Sequence, residues 1–284
     1  MRRSMVVIGT TLAALVIATT LIWFAIFWEE RRGLLAVSFL DVGQGDAIFI
    51  ESPSGRQALV DGGPDRSVLR ELGQVMPWYD RSIDVVIATH PDADHISGLV
   101  DVLQRYRVDY IFQPGVEKNT GPAESMLLSV AKEGAEEIYA RRAQILDLGE
   151  GAYLEILFPD RDVSGVETNT ASIVTRLVYG NTAFMLTGDA PEAIENYLVQ
   201  LDGEDLRANV LKVGHHGSDT SSSELFVGFV SPEYAVFSRG CDNRYGHPHE
   251  EVVALFNRFE IQTFDTCEDG TITFMSDGAK VEKR

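Results

Sequence analysis

The chain has six histidines, and they fall into three short clusters: His90 and His95, His215 and His216, His247 and His249. Each cluster follows an apolar run that reads as a buried strand: DVVIA before His90, NVLKV before His215 and YAVFS before His247. Asp92, Asp94 and Asp189 stand at similar strand-to-helix or strand-to-loop junctions. Imidazoles and carboxylates crowded at strand ends are costly to hold together unless something positive sits among them. A divalent cation fills that role, because both groups are ordinary metal ligands. A single histidine is most often a hydrogen-bonded or surface side chain. Three clusters at equivalent strand ends, where sites gather in α/β architectures, predict instead one shared metal centre.

The elements that position these residues come in two similar series. The first opens with the β-rich runs LAVSFLDVG, DAIFIES and QALVDGG, separated by Gly and Ser-Pro-Ser-Gly turns. A helix near 65–75, the strand IDVVIATH, a helix over about 95–105 and the strand DYIFQPG follow. From about residue 135 the pattern restarts with IYA, AQILDLG, YLEILFP, SIVTRLVYG and TAFMLTGD, and Gly180-Asn181 supplies a hairpin turn between the last two. Helical PEAIENYLVQ, the strand NVLKVGH and helical SELFVGFV come next. YAVFS and IQTFD, joined by the helix-like HEEVVALFNRF, then form a βαβ unit whose strands should run parallel. The shared order predicts two packed sheets with helices outside them. No linker rich in Gly, Ser or Pro divides the series, so residues 34–284 read as one catalytic domain.

The motifs carry a family resemblance. THPDADHISG (89–98) resembles the histidine-rich H-x-H-x-D-H motif of the metallo-β-lactamase fold, with Asp92 in place of the second histidine. FLDVGQGDA (39–47), LVDGG (59–63), NTASIV (169–174), LTGDA (186–190), LKVGHHGSDTSSS (211–223) and NRYGHPH (243–249) are similar to the C-terminal hydrolase domain of the ComEC family of DNA-internalisation competence proteins. The resemblance covers about residues 35–280 and implies an α/β fold, the four-layer αββα metallo-β-lactamase sandwich. It implies one or two divalent ions, Zn²⁺ or Mn²⁺. His90, Asp92, Asp94 and His95 are the expected ligands from one loop, Asp189 the bridging carboxylate, and His215 or His216 the completion of the second site. Asp94 is expected to serve the chemistry as well as ligation.

Asp61, and with it Asp41, is expected to orient a ligating imidazole and raise its basicity. Without the resemblance, Asp61-Gly62-Gly63 reads as an ordinary turn. His247 is the candidate for protonating the leaving group or gripping a phosphate oxygen. Ser218 and Lys212 are possible assistants, although Lys212 reads equally as a solvated side chain and Ser218 as a turn cap. The chain departs from the broader superfamily before the bridging aspartate, where the expected histidine is absent and Asn169 and Ser172 stand in its region as candidate catalytic residues. One site is therefore poorer in nitrogen, which moves preference from Zn²⁺ towards Mn²⁺.

Composition bounds the function. Met5 to Trp28 carries no charge, and as a helix of 24 residues it would span about 36 Å, enough to cross a bilayer. A cleavable signal peptide has a shorter apolar region followed by a small-x-small site, whereas Trp23, Phe24, Phe27 and Trp28 lead here into EERRG. Residues 1–33 therefore read as a single N-terminal transmembrane anchor, with the catalytic domain outside the cytoplasm. A net charge of −19 repels polyanions at long range and argues against non-specific nucleic-acid binding. Two cysteines, Cys241 and Cys267, exclude a disulfide scaffold and a thiolate zinc ribbon, and leave a single disulfide or two free thiols.

The expected activity is attack of a metal-activated water on phosphorus or carbonyl, with a phosphodiester, single-stranded DNA among them, as the substrate. One anchor makes no pore, so a role in DNA import needs a separate channel protein. The alternatives are hydrolysis of another envelope phosphoester or ester, and a non-catalytic accessory of an uptake or envelope complex. The latter predicts lost ligands, which the sequence retains. β-Lactam cleavage is not expected.

Overall fold

The computed structural model describes the backbone at every position except 1 and 32, and side-chain surroundings for residues 8–23 and 33–284. The chain begins with α1 (Arg2–Arg31). Among the described residues no helix is long and apolar enough to cross a membrane. The expected span, 5–28, runs past the described side chains at both of its ends, and the side chains of 5–7 and 24–28 lie outside what the structure describes. From Ile8 to Trp23 every side chain is exposed.

The first series comprises β1 (Leu35–Phe39), β2 (Ile48–Glu51), β3 (Gln57–Val60), α2 (Ser67–Val75), β4 (Ser82–Ile87), α3 (Ala93–Arg105), β5 (Arg107–Gln113), α4 (Gly121–Glu133) and β6 (Glu136–Tyr139). The second comprises β7 (Ile145–Gly149), β8 (Ala152–Phe158), β9 (Val174–Tyr179), β10 (Thr182–Leu186), α5 (Glu192–Asp202), β11 (Val210–Lys212), α6 (Glu224–Val230), β12 (Tyr234–Phe237), α7 (Glu250–Arg258) and β13 (Gln262–Asp265). β14 (Ile272–Ser276) and β15 (Val281–Lys283) then cross back to the first sheet, where β14 pairs antiparallel with β1. The sheets have the orders β15-β14-β1-β2-β3-β4-β5-β6 and β13-β12-β11-β10-β9-β8-β7.

Alternate residues of the central strands explain the layering. Phe39, Ile50, Val60 and Ile87 from one sheet meet Leu154, Leu177, Phe184 and Val236 from the other in a shared core. On the far face of the first sheet, Leu59 and Val86 pack with Leu72 of α2 and with Ile96, Leu99, Val102 and Leu103 of α3. The i, i+3, i+4 spacing of these α3 residues makes one apolar face, and each fully buried Leu contributes about 1.5–3 kcal/mol. Leu198, Phe226 and Phe256 cover the outer face of the second sheet from α5, α6 and α7. The layers run α, β, β, α, as expected.

β12 and β13 are parallel and joined by α7, and β9 and β10 form the hairpin at Gly180, both as the sequence predicts. Helix α4 is not legible in the same way. Its Leu127 and Leu128 are exposed, so it presents little amphipathic pattern to read.

Strand direction fixes where chemistry can sit. β3 runs parallel to β4, and β10, β11 and β12 are mutually parallel, so their C-terminal ends open on one edge of the sandwich. β1 and β3 are each antiparallel to β2, so α1 joins at the opposite end, where Tyr179 Oη donates to Gly33 O at 2.9 Å.

Candidate metal centre

Five strand ends supply the cluster: Asp61 follows β3, His90 and His95 follow β4, Asp189 follows β10, His215 and His216 follow β11, and Ser238 follows β12. The loops approach closely enough to demand glycine. A Cβ at Gly98 of α3 would lie 1.9 Å from the Gly62 carbonyl oxygen, and one at Gly45 would lie 2.0 Å from the carbonyl oxygen of Asp94. The Asp61-Gly62-Gly63 turn is thereby pressed on the first turn of α3, with Gly62 N donating to His95 O at 2.7 Å.

Hydrogen bonds fix the tautomers. Asp61 takes Thr89 N at 2.8 Å on one oxygen, and Thr89 Oγ1 at 2.7 Å and His95 Nδ1 at 2.8 Å on the other. Thr89 Oγ1 donates its single hydrogen to Asp61, so it accepts from His90 Nδ1 at 3.0 Å, which leaves His90 Nε2 as a bare acceptor. His216 Nδ1 donates to Ser238 O at 2.8 Å, turning its Nε2 towards the carboxylates. Asp189 Oδ2 then has four imidazole Nε2 atoms around it: His95 at 3.2 Å, His215 and His216 each at 3.5 Å and His90 at 3.8 Å. Asp94 Oδ2 lies 3.6 Å from His216 Nε2.

Burial works against charge throughout, yet Asp189, beside His216 and His95, stays well below the usual carboxylate range. His95 and His216 are raised well above an ordinary imidazole, because Asp189 and, respectively, Asp61 and Asp46 outweigh their burial. His90 is pushed down to about 3 by burial and by His95. The carboxylates thus favour the protonated form of both imidazoles, and a divalent cation would compete with those protons for the ring nitrogens. His90 Nε2, His216 Nε2, Asp189 Oδ1 and Asp46 Oδ1 are buried and lack hydrogen-bond partners. His90, His95 and Asp189 offer donor atoms within 4.8 Å of one another, as do Asp94, His95 and His216, and Asp46, Asp189 and His216. Orphaned donors in such groups fit a divalent cation.

The expected residues divide. His90, Asp94, His95, Asp189 and His216 converge. His215 reaches Asp189 but is partly exposed, and its Nδ1 is engaged with Thr220 Oγ1 at 3.0 Å. Asp92 belongs to none of these donor groups, and its Oδ2 pairs with Lys118 Nζ at 2.7 Å. Asp41 caps its own turn, with Oδ1 accepting from Gly43 N at 3.3 Å. Asp46, the other carboxylate of FLDVGQGDA, is buried beside His216 and was not singled out by its sequence. Lys212 is wholly buried rather than solvated and pairs with Asp46 at 2.6 Å. Ser218 shares a turn with Thr220, at 3.0 Å between hydroxyl oxygens.

His247 lies 5.6 Å from His215 ring to ring, and its Nδ1 is buried without a partner. Burial, with His215 and His216 nearby, holds it down to about 4, so it is a neutral imidazole at pH 7. Ser172 is buried with an unpartnered hydroxyl, on a loop tied to the His90 strand end by Ile173 N donating to Thr89 O at 2.9 Å. Asn169 opens the short helical turn of that loop and is half-buried. Cys241 and Cys267 form a disulfide.

Residues 40–240 match the family described as the metallo-beta-lactamase superfamily. The chain belongs to that superfamily. Its relatives include ComE operon protein 3 of Bacillus subtilis, 30% identical over 84% of this chain, and competence protein ComA of Neisseria gonorrhoeae, 32% identical over 84%. The expected kinship with competence proteins is upheld, and the chain spans about a third of each relative's length (32%). Among solved structures, the metallo-beta-lactamase fold protein YhfI of Bacillus subtilis superposes with a TM-score of 0.56 at 12% identity, over 85% of this chain and 99% of that one. Igni18, a metallo hydrolase of Ignicoccus hospitalis, gives 0.53 at 16% identity, over 84% and 98%. These two superpositions show a common fold.

Proposed function

We propose that the chain is a divalent-cation-dependent hydrolase of phosphodiesters, with single-stranded DNA among its substrates, tethered to a membrane through residues 5–28 and with residues 34–284 outside the cytoplasm. The observation that carries the hydrolase reading is the set of four imidazoles around Asp189, with unpartnered donor atoms at a shared edge of the two sheets. Kinship with competence proteins favours a nucleic-acid phosphodiester over other esters, and a separate channel protein would carry the DNA itself. A bound cation supplies Lewis acidity and lowers the pKa of water.

The chain's own residues do the rest. Asp61 holds His95 in one tautomer, Ser238 O does the same for His216, and Asp94 and Asp189 provide the negative charge that attracts the cation. His247, neutral at pH 7, serves better as a hydrogen-bond donor to a substrate oxygen than as an imidazolium acid. A donor set of two carboxylates and two or three imidazoles suits Mn²⁺ as well as Zn²⁺.

Two features support the tether and its side. The described side chains of α1 are uncharged and exposed from Ile8 to Trp23, and a disulfide suits an oxidising compartment. The cluster opens at the end of the sandwich away from α1, about 25 Å along β4 and its following turn. An anchored chain would offer it to a polymer arriving from solution rather than to headgroups of its own membrane.

The test is cleavage of single-stranded DNA, bis-p-nitrophenyl phosphate and a β-lactam by the full chain in Mn²⁺ and in Zn²⁺. Cleavage of the first two, abolished by Asp189→Ala and reduced with retained metal by His247→Ala, is the expected result. Cleavage of none, by chain that retains its cation, leaves a non-catalytic binding protein.

A further inference from the structure

The two acidic residues flanking Ala93 have different fates. Asp94 faces His216, whereas Asp92, the N-cap residue of α3, makes no side-chain capping bond. An aspartate in that position ordinarily accepts a backbone N–H of the first helical turn. Here Oδ2 is drawn to the Lys118 ammonium at 2.7 Å, and Oδ1 is buried without a partner. Lys118 comes from the connection between β5 and α4, which contributes nothing else to the cluster. The pair is partly buried, with 33% of the Lys118 side chain and 25% of Asp92 exposed, so solvent screens it less than a surface pair.

The cluster is correspondingly lopsided. Asp94, His95 and His216 form one compact donor group, and Asp189 Oδ2 lies close to both imidazoles. At the other edge His90 has only His95 and Asp189 in its donor group, His95 belonging also to the first group, and the nearby loop offers the Ser172 hydroxyl. The one lone pair of His95 Nε2 serves a single cation, so a second cation beside His90 is short of a protein ligand once the first site is filled, and Asp92 is committed to an ammonium.

We propose that Lys118 is a built-in counter-charge that holds Asp92 out of ligation, so that the cluster binds one cation tightly and a second only in competition with Lys118. This rests on the reading of the cluster as a divalent-cation site. Ammonium and second cation are alternatives for one carboxylate. Recruiting the second cation then requires Lys118 to swing towards solvent, which its partial exposure permits. Phosphate oxygens of a substrate would give the displaced ammonium a new partner.

The test is calorimetric titration of the metal-stripped full chain with Mn²⁺, with Co²⁺ absorption spectra as an independent record of the ligand field. The wild type should take one tight equivalent and a second at least about tenfold weaker. Lys118→Met should tighten the second by about tenfold or more, the scale on which one neighbouring charge shifts a carboxylate. Lys118→Arg should behave as the wild type, and Asp92→Asn should abolish the second equivalent while sparing the first. Two equal equivalents in the wild type, or a second that Lys118→Met leaves unchanged or weakens, would overturn the proposal. Absence of any bound cation would overturn the hydrolase reading, and this proposal with it.

Discussion

Glu195 of α5 lies under the loop that carries His215 and His216, and its carboxylate accepts Ser222 N and Ser223 N, each at 2.7 Å. Burial nevertheless raises its pKa from 4.5 to about 7, against the lowering effect of those two bonds. Neutral Glu195 therefore contributes stability that is fully present below pH 4.5 and is lost as the pH rises through 7. The shift corresponds to about 3 kcal/mol, of which about 2 kcal/mol falls between pH 5.5 and 8.5. That window keeps clear of the isoelectric region near 4.6. Glu195→Gln removes the titration and, because one amide oxygen cannot accept both N–H groups, adds a penalty that does not depend on pH. Urea unfolding of both proteins in identical buffers at several pH values isolates the effect. The wild type should lose about 2 kcal/mol relative to Glu195→Gln from pH 5.5 to 8.5. A difference that is constant across the window, or that grows in the wild type's favour, would refute the assignment.

Asp61→Asn should weaken cation affinity about 10- to 100-fold in a chelator competition, because His95 loses the acceptor that sets its tautomer; unchanged affinity would show that Thr89 and packing suffice. Cys241→Ser/Cys267→Ser should lower unfolding free energy by about 3–4 kcal/mol, the closure entropy of a loop with separation 26, as read by urea denaturation. Lys212→Met should cost about 3–5 kcal/mol by taking the ammonium from buried Asp46, and Asp46→Asn in the same chain should recover most of that loss. Failure of the double variant to recover would locate the role of Lys212 elsewhere, at Gly188 O or Asp189.

The parts of the site legible in the sequence were those written as contiguous motifs. His90, Asp94 and His95 follow one strand, and the loops bearing Asp189 and His216 follow strands whose apolar runs are equally plain. What escaped depends on the return of the chain. FLDVGQGDA holds two aspartates, and the one nearer β1 only caps a turn, while Gly45, at φ +126, folds the segment back and buries Asp46. The abutment of Asp46 on the apolar run AIFI was the available signal. Lys212 reads as solvated until β11 is seen between β10 and β12, in a parallel region covered on both faces. The crossing of β14 to β1 and the Lys118–Asp92 pair join residues far apart in sequence, and no local pattern announces such meetings. Two free thiols and a disulfide likewise read the same until Cys241 and Cys267 are brought to a Cα separation of 5.0 Å.

The central claim is that Asp189 and the imidazoles around it hold a divalent cation. Elemental analysis of the purified full chain, beside Asp189→Ala prepared in the same way, tests this most directly. The prediction is one tightly held Mn²⁺ or Zn²⁺ per wild-type chain and its loss from a folded Asp189→Ala chain. A wild type without metal, or an Asp189→Ala chain that keeps its full complement, would contradict it.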